Sequence, residues 1–165
     1  MNKYLILCVD DEIEILESVL QDLAPFEEHF IVEGAESVKE AKQVIAEMAN
    51  DKIPLALILC DHIMPKQTGI DFLIELNQMK STASARKVLL TGQAGLEDTI
   101  SAVNHAALDF YIAKPWYGEQ LRKTLRTQLT EYMINNDDQL LSWSSVLDTE
   151  KIFNAMAAKR NNFGE

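Results

Sequence analysis

Short apolar runs alternate along the chain with stretches whose apolar residues recur at helical spacing. Residues 3–9 form an apolar run that ends in acids, a strand. Residues 12–24 carry Leu16, Val19, Leu20 and Leu23 on one helical face, and Pro25 stops that helix. Phe30-Ile31-Val32 reads as a second strand, ended by Gly34. Ser37 with Glu40 has the spacing of a capping box and opens a helix with Val38, Ala41, Ile45 and Met48 on one side. Residues 53–60 are continuously apolar and short, as in a strand buried on both faces. A loop with Pro65 and Gly69 follows, then a third helix with Ile70, Leu73 and Leu76. Residues 87–91 form a fourth strand, broken by Gly92 and Gly95. Leu96, Ile100, Val103 and Ala107 mark a fourth helix. Residues 109–113 form a fifth strand, and Leu121, Leu125, Leu129 and Tyr132 mark a fifth helix.

A strand followed by a helix, repeated five times in about 130 residues, predicts a parallel sheet covered on both faces. Right-handed crossovers make it an α/β, doubly wound five-stranded sheet. In such sheets, sites form beyond the carboxyl ends of the strands, near the switch in strand order. Composition adds that the chain is globular. Its 165 residues are 47% hydrophobic and 25% charged, and no stretch approaches the roughly 18 apolar residues of a membrane span. The apolar N-terminus runs into Asp10-Asp11-Glu12 without a small-residue cleavage site, so it reads as a strand and not a signal peptide. Cys8 and Cys60 lie in apolar runs and read as buried thiols of a reducing, cytoplasmic compartment. The net charge of −11 argues against nucleic-acid binding, and Arg122, Lys123 and Arg126 read as a solvated helix face.

Chemistry enters at the residues that end strands. Strand one ends at Asp10-Asp11, strand three at Asp61, strand four at Thr91 and strand five at Lys114-Pro115. A parallel sheet gathers all of them at one edge. Three carboxylates packed together repel, and a hard divalent cation such as Mg²⁺ resolves that conflict with oxygen ligands. Phosphoryl transfer to a carboxylate needs the same company: a cation, an ammonium and a donor hydroxyl around the moving oxygens. In this reading Asp61 is the nucleophile that forms an acyl phosphate. Each residue also has a plain alternative. Asp10 and Asp11 can start a helix, Asp61 can begin a turn, Thr91 can be a routine strand residue and Lys114 an exposed loop lysine. Their joint occurrence at one topological position favours the functional reading.

These residues resemble the receiver domains of two-component response regulators over residues 3–128. Asp10-Asp11 resembles the family's acidic pair. Asp61-His62-Ile63-Met64-Pro65 with Thr68-Gly69 is similar to the phosphoacceptor segment, and Thr91-Gly92 to the switch threonine and its small neighbour. Lys114-Pro115 resembles the lysine joined to proline by a cis peptide, and Tyr111 stands where the family keeps an aromatic switch residue. The resemblance implies a flavodoxin-like strand order, 2-1-3-4-5. It implies that Asp61 accepts phosphate from a histidine kinase or phosphotransfer protein. Mg²⁺ would be held by the side chains of Asp11 and Asp61, the carbonyl of Ile63 and, through water, Asp10. Lys114 and Thr91 would contact the phosphoryl oxygens. Thr91 and Tyr111 would then shift together and alter the surface of the fourth helix, fifth strand and fifth helix. Ile63 and Gln93 fall where the family tunes acyl-phosphate lifetime, and the apolar Ile63 is expected to slow hydrolysis. Trp116 reads either as a packing residue at the start of the fifth helix or as part of a partner surface.

Residues 129–165 go beyond an ordinary receiver and form a helical extension or linker. The fifth-helix pattern continues through Tyr132 and Met133, and residues 135–138 break it and can cap another helix. Leu140, Leu141, Trp143, Val146 and Leu147 are apolar, and Ile152, Phe153, Met156 and Ala157 return at helical spacing. The extension is too short for a winged helix or a catalytic output domain. It can fold back on the domain, pair with a partner or a second copy, or begin a linker in a longer parent protein. His29, His62 and His105 lie far apart and read as ordinary surface or core residues. Three functions compete. A phosphorylation-controlled switch acting by protein contacts accounts for the most residues; its partners would be the phosphodonor and a downstream protein or missing output domain. A homodimer through the fourth helix, fifth strand and fifth helix, or through the C-terminal helices, is a further expectation. An aspartate-nucleophile phosphatase or phosphotransferase normally carries a second acid where Ile63 stands, which argues against an enzyme. A degenerate receiver would not keep Asp10, Asp11, Asp61, Thr91 and Lys114 as competent residue types.

Overall fold

The computed structural model describes residues 1–92 and 108–163. The predicted fourth helix, with Leu96, Ile100, Val103 and Ala107, lies outside the described residues, as do Gln93 and His105. The chain runs β1 (Leu5–Val9), α1 (Ile13–Asp22), a 3-10 turn (Ala24–Glu28), β2 (Ile31–Ala35), α2 (Val38–Asn50), β3 (Leu55–Asp61) and α3 (Gly69–Gln78). Then come β4 (Arg86–Thr91), β5 (Phe110–Ala113), α4 (Gly118–Asn136), a 3-10 turn (Leu140–Trp143) and α5 (Thr149–Phe163).

The five strands are parallel in the order β2-β1-β3-β4-β5. Strand order reverses between β1 and β3, so the crevice beyond their carboxyl ends is the natural site. Alternate side chains of β1 point to opposite faces. Ile6 and Cys8 join a core with α1, α4 and the C-terminal extension, while Leu5, Leu7 and Val9 join one with α2 and α3. All seven residues of β3 are buried, as its unbroken apolar run required.

Local signals explain most boundaries. The Glu40 N–H donates to Ser37 Oγ (3.1 Å), and the Glu40 carboxylate accepts from the Glu36 N–H (3.0 Å). Pro25 sits at the start of the 3-10 turn, just past α1. Gly34 does not end β2: it pairs with Cys8 inside the strand. A Cβ there would come 2.9 Å from Leu20 Cδ1 and 3.3 Å from Leu16, so the glycine admits α1 against the sheet. Phe30 lies outside β2 and packs its ring 5.1 Å from that of Trp143. Asp109 precedes β5, and its carboxylate accepts from the Lys87 N–H (2.8 Å).

The extension folds back on the β1 end of the molecule. Trp143 is fully buried, and Leu140, Leu147 and Ile152 share its core. Asp137 is the C-cap of α4, its N–H donating to Met133 O (2.9 Å), as the predicted break at residues 135–138 requires. Its buried carboxylate accepts from Tyr4 Oη (2.6 Å), Trp143 Nε1 (3.2 Å) and the Gln139 N–H (2.6 Å). Thr130 Oγ1 accepts from the Asp148 N–H (3.2 Å), and Lys151 pairs with Glu131 (2.7 Å), so α5 is tied along α4.

Candidate functional site

Asp10, Asp11, Asp61, Thr91 and Lys114 lie at or just beyond the ends of strands. Asp10 follows β1; its N–H donates to Ala35 O (3.1 Å) and its Oδ1 accepts from the Glu12 N–H (2.9 Å). The carboxylate thus holds the turn that leads into α1 with one oxygen and reaches Lys114 with the other. Asp61 is the last residue of β3 and pairs with Leu90 of β4. The backbone of the next residue, His62, is pinned on both sides: its N–H donates to Leu90 O (3.3 Å) and its carbonyl accepts from the Gly69 N–H (2.8 Å). A Cβ on Gly69 would sit 2.1 Å from Asp61 O and 2.9 Å from His62 Cα, so only glycine lets α3 begin there. Thr68 then caps α3, its Oγ1 accepting from the Asp71 N–H (3.1 Å).

Thr91 closes β4, and its carbonyl accepts from the Lys114 N–H (2.8 Å). The Lys114-Pro115 peptide is cis. Lys114 Nζ lies 2.9 Å from Asp61 Oδ1 and 3.3 Å from Asp10 Oδ2. Asp10, Asp11 and Asp61 each offer a carboxylate oxygen within 4.8 Å of the others. Asp10 and Asp61 are 2% and 4% exposed, Thr91 is buried, and Asp11 is open to solvent. The structure thus brings Asp10, Asp11, Asp61 and Lys114 into one pocket and puts Thr91 on the adjoining strand end.

Electrostatics follow from this packing. Burial pushes the Asp61 carboxyl above its usual range; Lys114 opposes the shift, while Asp10 and Asp11 add to it. Burial pulls Lys114 down, but the carboxylates of Asp61 and Asp10 outweigh it and hold the ammonium above its ordinary value. Three carboxylates against one ammonium leave an excess of two negative charges. The donor set, all oxygen and partly solvent-facing, fits a hard divalent ion.

Two predicted residues stand apart. Ile63, two residues after Asp61, is 72% exposed. Tyr111 pairs with Leu89 while Thr91 pairs with Ala113, so Tyr111 and Thr91 project from one face of the sheet. The Tyr111 ring is half-exposed and stacks on Phe110, 6.4 Å away. Two contributors were not readable from sequence: the steric role of Gly69, and a 2.8 Å hydrogen bond from Trp116 Nε1 to Asp22 Oδ2. A glycine directly after a capping threonine is a weak sign of the first. Nothing in the sequence joins Trp116 to Asp22.

A doubly wound sheet with an acidic pocket at its switch point and a lysine from β5 defines a class, and comparison with known proteins agrees. The chain belongs to the response regulator receiver domain family, whose model matches residues 6–126. It is 30% identical over 132 residues to the hydrogenase transcriptional regulatory protein HoxA of Cupriavidus necator, covering 80% of this chain and 25% of that one. It is 27% identical over 150 residues to a probable cyclic di-GMP phosphodiesterase of Vibrio cholerae, covering 91% of this chain and 32% of the relative. The chain therefore spans a quarter to a third of these relatives' lengths. Among solved structures, it resembles a CheY-like response regulator receiver domain protein from Methanospirillum hungatei, with a TM-score of 0.69 at 28% identity over 82% of this chain and all of that one. Receiver domains are signalling modules of two-component systems and not enzymes in the ordinary sense. Among the described residues no helix is long and apolar enough to cross a membrane.

Proposed function

We propose that this chain is a phosphorylation-controlled switch in which Asp61 accepts a phosphoryl group from a histidine kinase or phosphotransfer protein. The observation that carries the reading is the placement of Lys114 Nζ between Asp61 (2.9 Å) and Asp10 (3.3 Å), with Asp11 beside them. Asp10, Asp11, Asp61 and the Ile63 carbonyl are the groups that would hold Mg²⁺. Bound there, the ion supplies positive charge to the phosphoryl oxygens. An oxygen of Asp61 forms the new P–O bond as the donor's P–N bond breaks, and the freed imidazole leaves. Lys114 stays on the phosphoryl oxygens, and the Thr91 hydroxyl donates to another. Drawing Thr91 inward frees space on the face it shares with Tyr111, and the Tyr111 ring turns in from its half-exposed position.

The readout is a protein contact. Residues 1–128 form the receiver and 129–165 a helical extension, and the partner is a downstream protein or an output domain of a longer parent chain. The surface of β5, α4 and the segment between β4 and β5 is the candidate for that contact or for a homodimer. The net charge of −11 supports a protein partner over nucleic acid, and two buried free thiols fit the reducing cytoplasm. Intact-mass spectrometry after incubation with Mg²⁺ and acetyl phosphate tests the reading. Wild type gains one hydroxylamine-labile phosphoryl group, and Asp61→Asn gains none. Equal adducts on both, or none on either, would sink it.

A further inference from the structure

Lys114 works from a loop, so something outside the loop must fix where its ammonium lies. We propose that Trp116 and Asp22 form a clamp that positions Lys114 over Asp61. This rests on the phosphoacceptor reading above. Lys114 follows a four-residue edge strand, and only Pro115, Trp116 and Tyr117 separate it from α4. Tyr117 is 80% exposed and makes no side-chain cap. Trp116 is the linker side chain that is tied back. Its indole packs on the core and its Nε1–H donates to Asp22 Oδ2 at 2.8 Å.

Asp22 is itself held. Arg122 Nη1 donates to Asp22 O (3.3 Å) and lies 4.0 Å from Oδ1. A Cβ on Gly118 would come 2.8 Å from that same Oδ1, so the bare glycine leaves room for the carboxylate at the start of α4. Asp22 ends α1, and α1 begins at Ile13, one N-cap residue (Glu12) after the Asp10-Asp11 pair. One rigid helix thus carries the acids at its head and the clamp for the lysine loop at its tail. The lysine and the carboxylates it must reach are referred to the same element. Small misplacements of a charged group at a transferring phosphoryl reduce rate steeply.

The test pairs a direct probe of Lys114 with a rate. Nitrogen-15 NMR of the lysine ammonium groups, in protein free of phosphate, reads whether Lys114 is held between Asp61 and Asp10. The phosphorylation rate with acetyl phosphate reads the consequence, and calorimetric Mg²⁺ titration checks the acid pocket alone. Trp116→Phe keeps the ring and removes the donor. It is expected to lose the protected Lys114 signal and slow phosphorylation about tenfold, with Mg²⁺ affinity within about twofold of wild type. Asp22→Ala behaves the same way. Asp22→Asn, which keeps an acceptor oxygen, recovers most of the rate. In a Lys114→Ala background Trp116→Phe causes no further loss. An unchanged signal and rate in Trp116→Phe would overturn the clamp. So would a signal lost with the rate unchanged, an equal slowing in the Lys114→Ala background, or a parallel fall in Mg²⁺ affinity and melting temperature. If the signal is lost in Trp116→Phe but no variant, wild type included, takes phosphate, the clamp stands and the phosphoacceptor reading fails.

Discussion

Two buried aspartates mark opposite ends of the sheet, and the protein treats them in opposite ways. Asp61, at the carboxyl end of β3, is packed with two like charges, and burial drives its carboxyl upward. Asp137 accepts from Tyr4 Oη, which lies just before β1, and from Trp143 Nε1 and the Gln139 N–H. Burial there pushes its carboxyl up as well, but the hydrogen bonds from Tyr4, the Gln139 N–H and Trp143 prevail and hold it below the usual range. The first carboxylate has one ammonium and two rivals. The second is held by hydrogen-bond donors from Tyr4, Gln139, Trp143 and Asn2. A buried acid left with excess charge is a place for a cation and a phosphoryl group, and a buried acid saturated with donors is a fastening.

The comparison breaks most visibly at Trp143. Trp143→Ala empties a fully buried site and should cost about 3–5 kcal/mol in urea unfolding. Phosphorylation of the fraction that remains folded should persist, because the pocket lies at the other end of the strands. Next comes the ligand. Mg²⁺ at 100 times its dissociation constant should stabilise the wild type by about 2.7 kcal/mol, seen as a raised melting temperature. Asp11→Asn should erase most of that rise, and Asp137→Asn should leave it intact.

Asp137→Ala strands the Tyr4 hydroxyl and the Trp143 indole N–H, and should cost about 1–3 kcal/mol. The pH dependence separates the two acids by sign. Asp137 has a depressed folded pKa, so its stabilisation is present above the unfolded carboxylate value near about 4 and is lost as pH falls further. Asp61 has a raised one, so at neutral pH without Mg²⁺ its charge weakens the fold, and Asp61→Asn should melt higher than wild type. That advantage should shrink as acid protonates the wild-type carboxyl. A melting curve in which both variants lose stability at neutral pH would contradict the contrast. The smallest expected effect is at Ile63, whose side chain is exposed two residues after Asp61. Ile63→Asn should lose its phosphoryl group faster than wild type, followed as decay of the adduct mass.

The phosphoacceptor end was legible from sequence because topology does the gathering. Once strands and helices alternate, residues at strand ends must meet, and Asp10, Asp11, Asp61, Thr91 and Lys114 needed no long-range guess. The fastening end was not. Asp137 lies in a polar stretch that reads equally well as a helix break and cap, and its partners stand 133 residues before it and six after. Gly34 looked like a strand terminator because a glycine needed for close packing of Leu16 and Leu20 carries the same letter as one needed for a turn. Lys87 begins the predicted fourth strand with no sign of a special role, yet its side chain is buried and its Nζ donates to the carbonyls of Ala83 (3.0 Å) and Ala85 (2.9 Å). Burial drives its ammonium downward. Pairings of this kind depend on which loop returns to which strand, and one-dimensional patterns do not carry that.

The central claim is that Asp61 carries the phosphoryl group, and reductive trapping locates it directly. Borohydride converts an aspartyl phosphate to homoserine, which peptide mapping places along the chain. After treatment with Mg²⁺ and acetyl phosphate, homoserine should replace aspartate at position 61 alone. Homoserine at position 10 or 11, or an unreduced chain after complete phosphodonor treatment, would contradict the account.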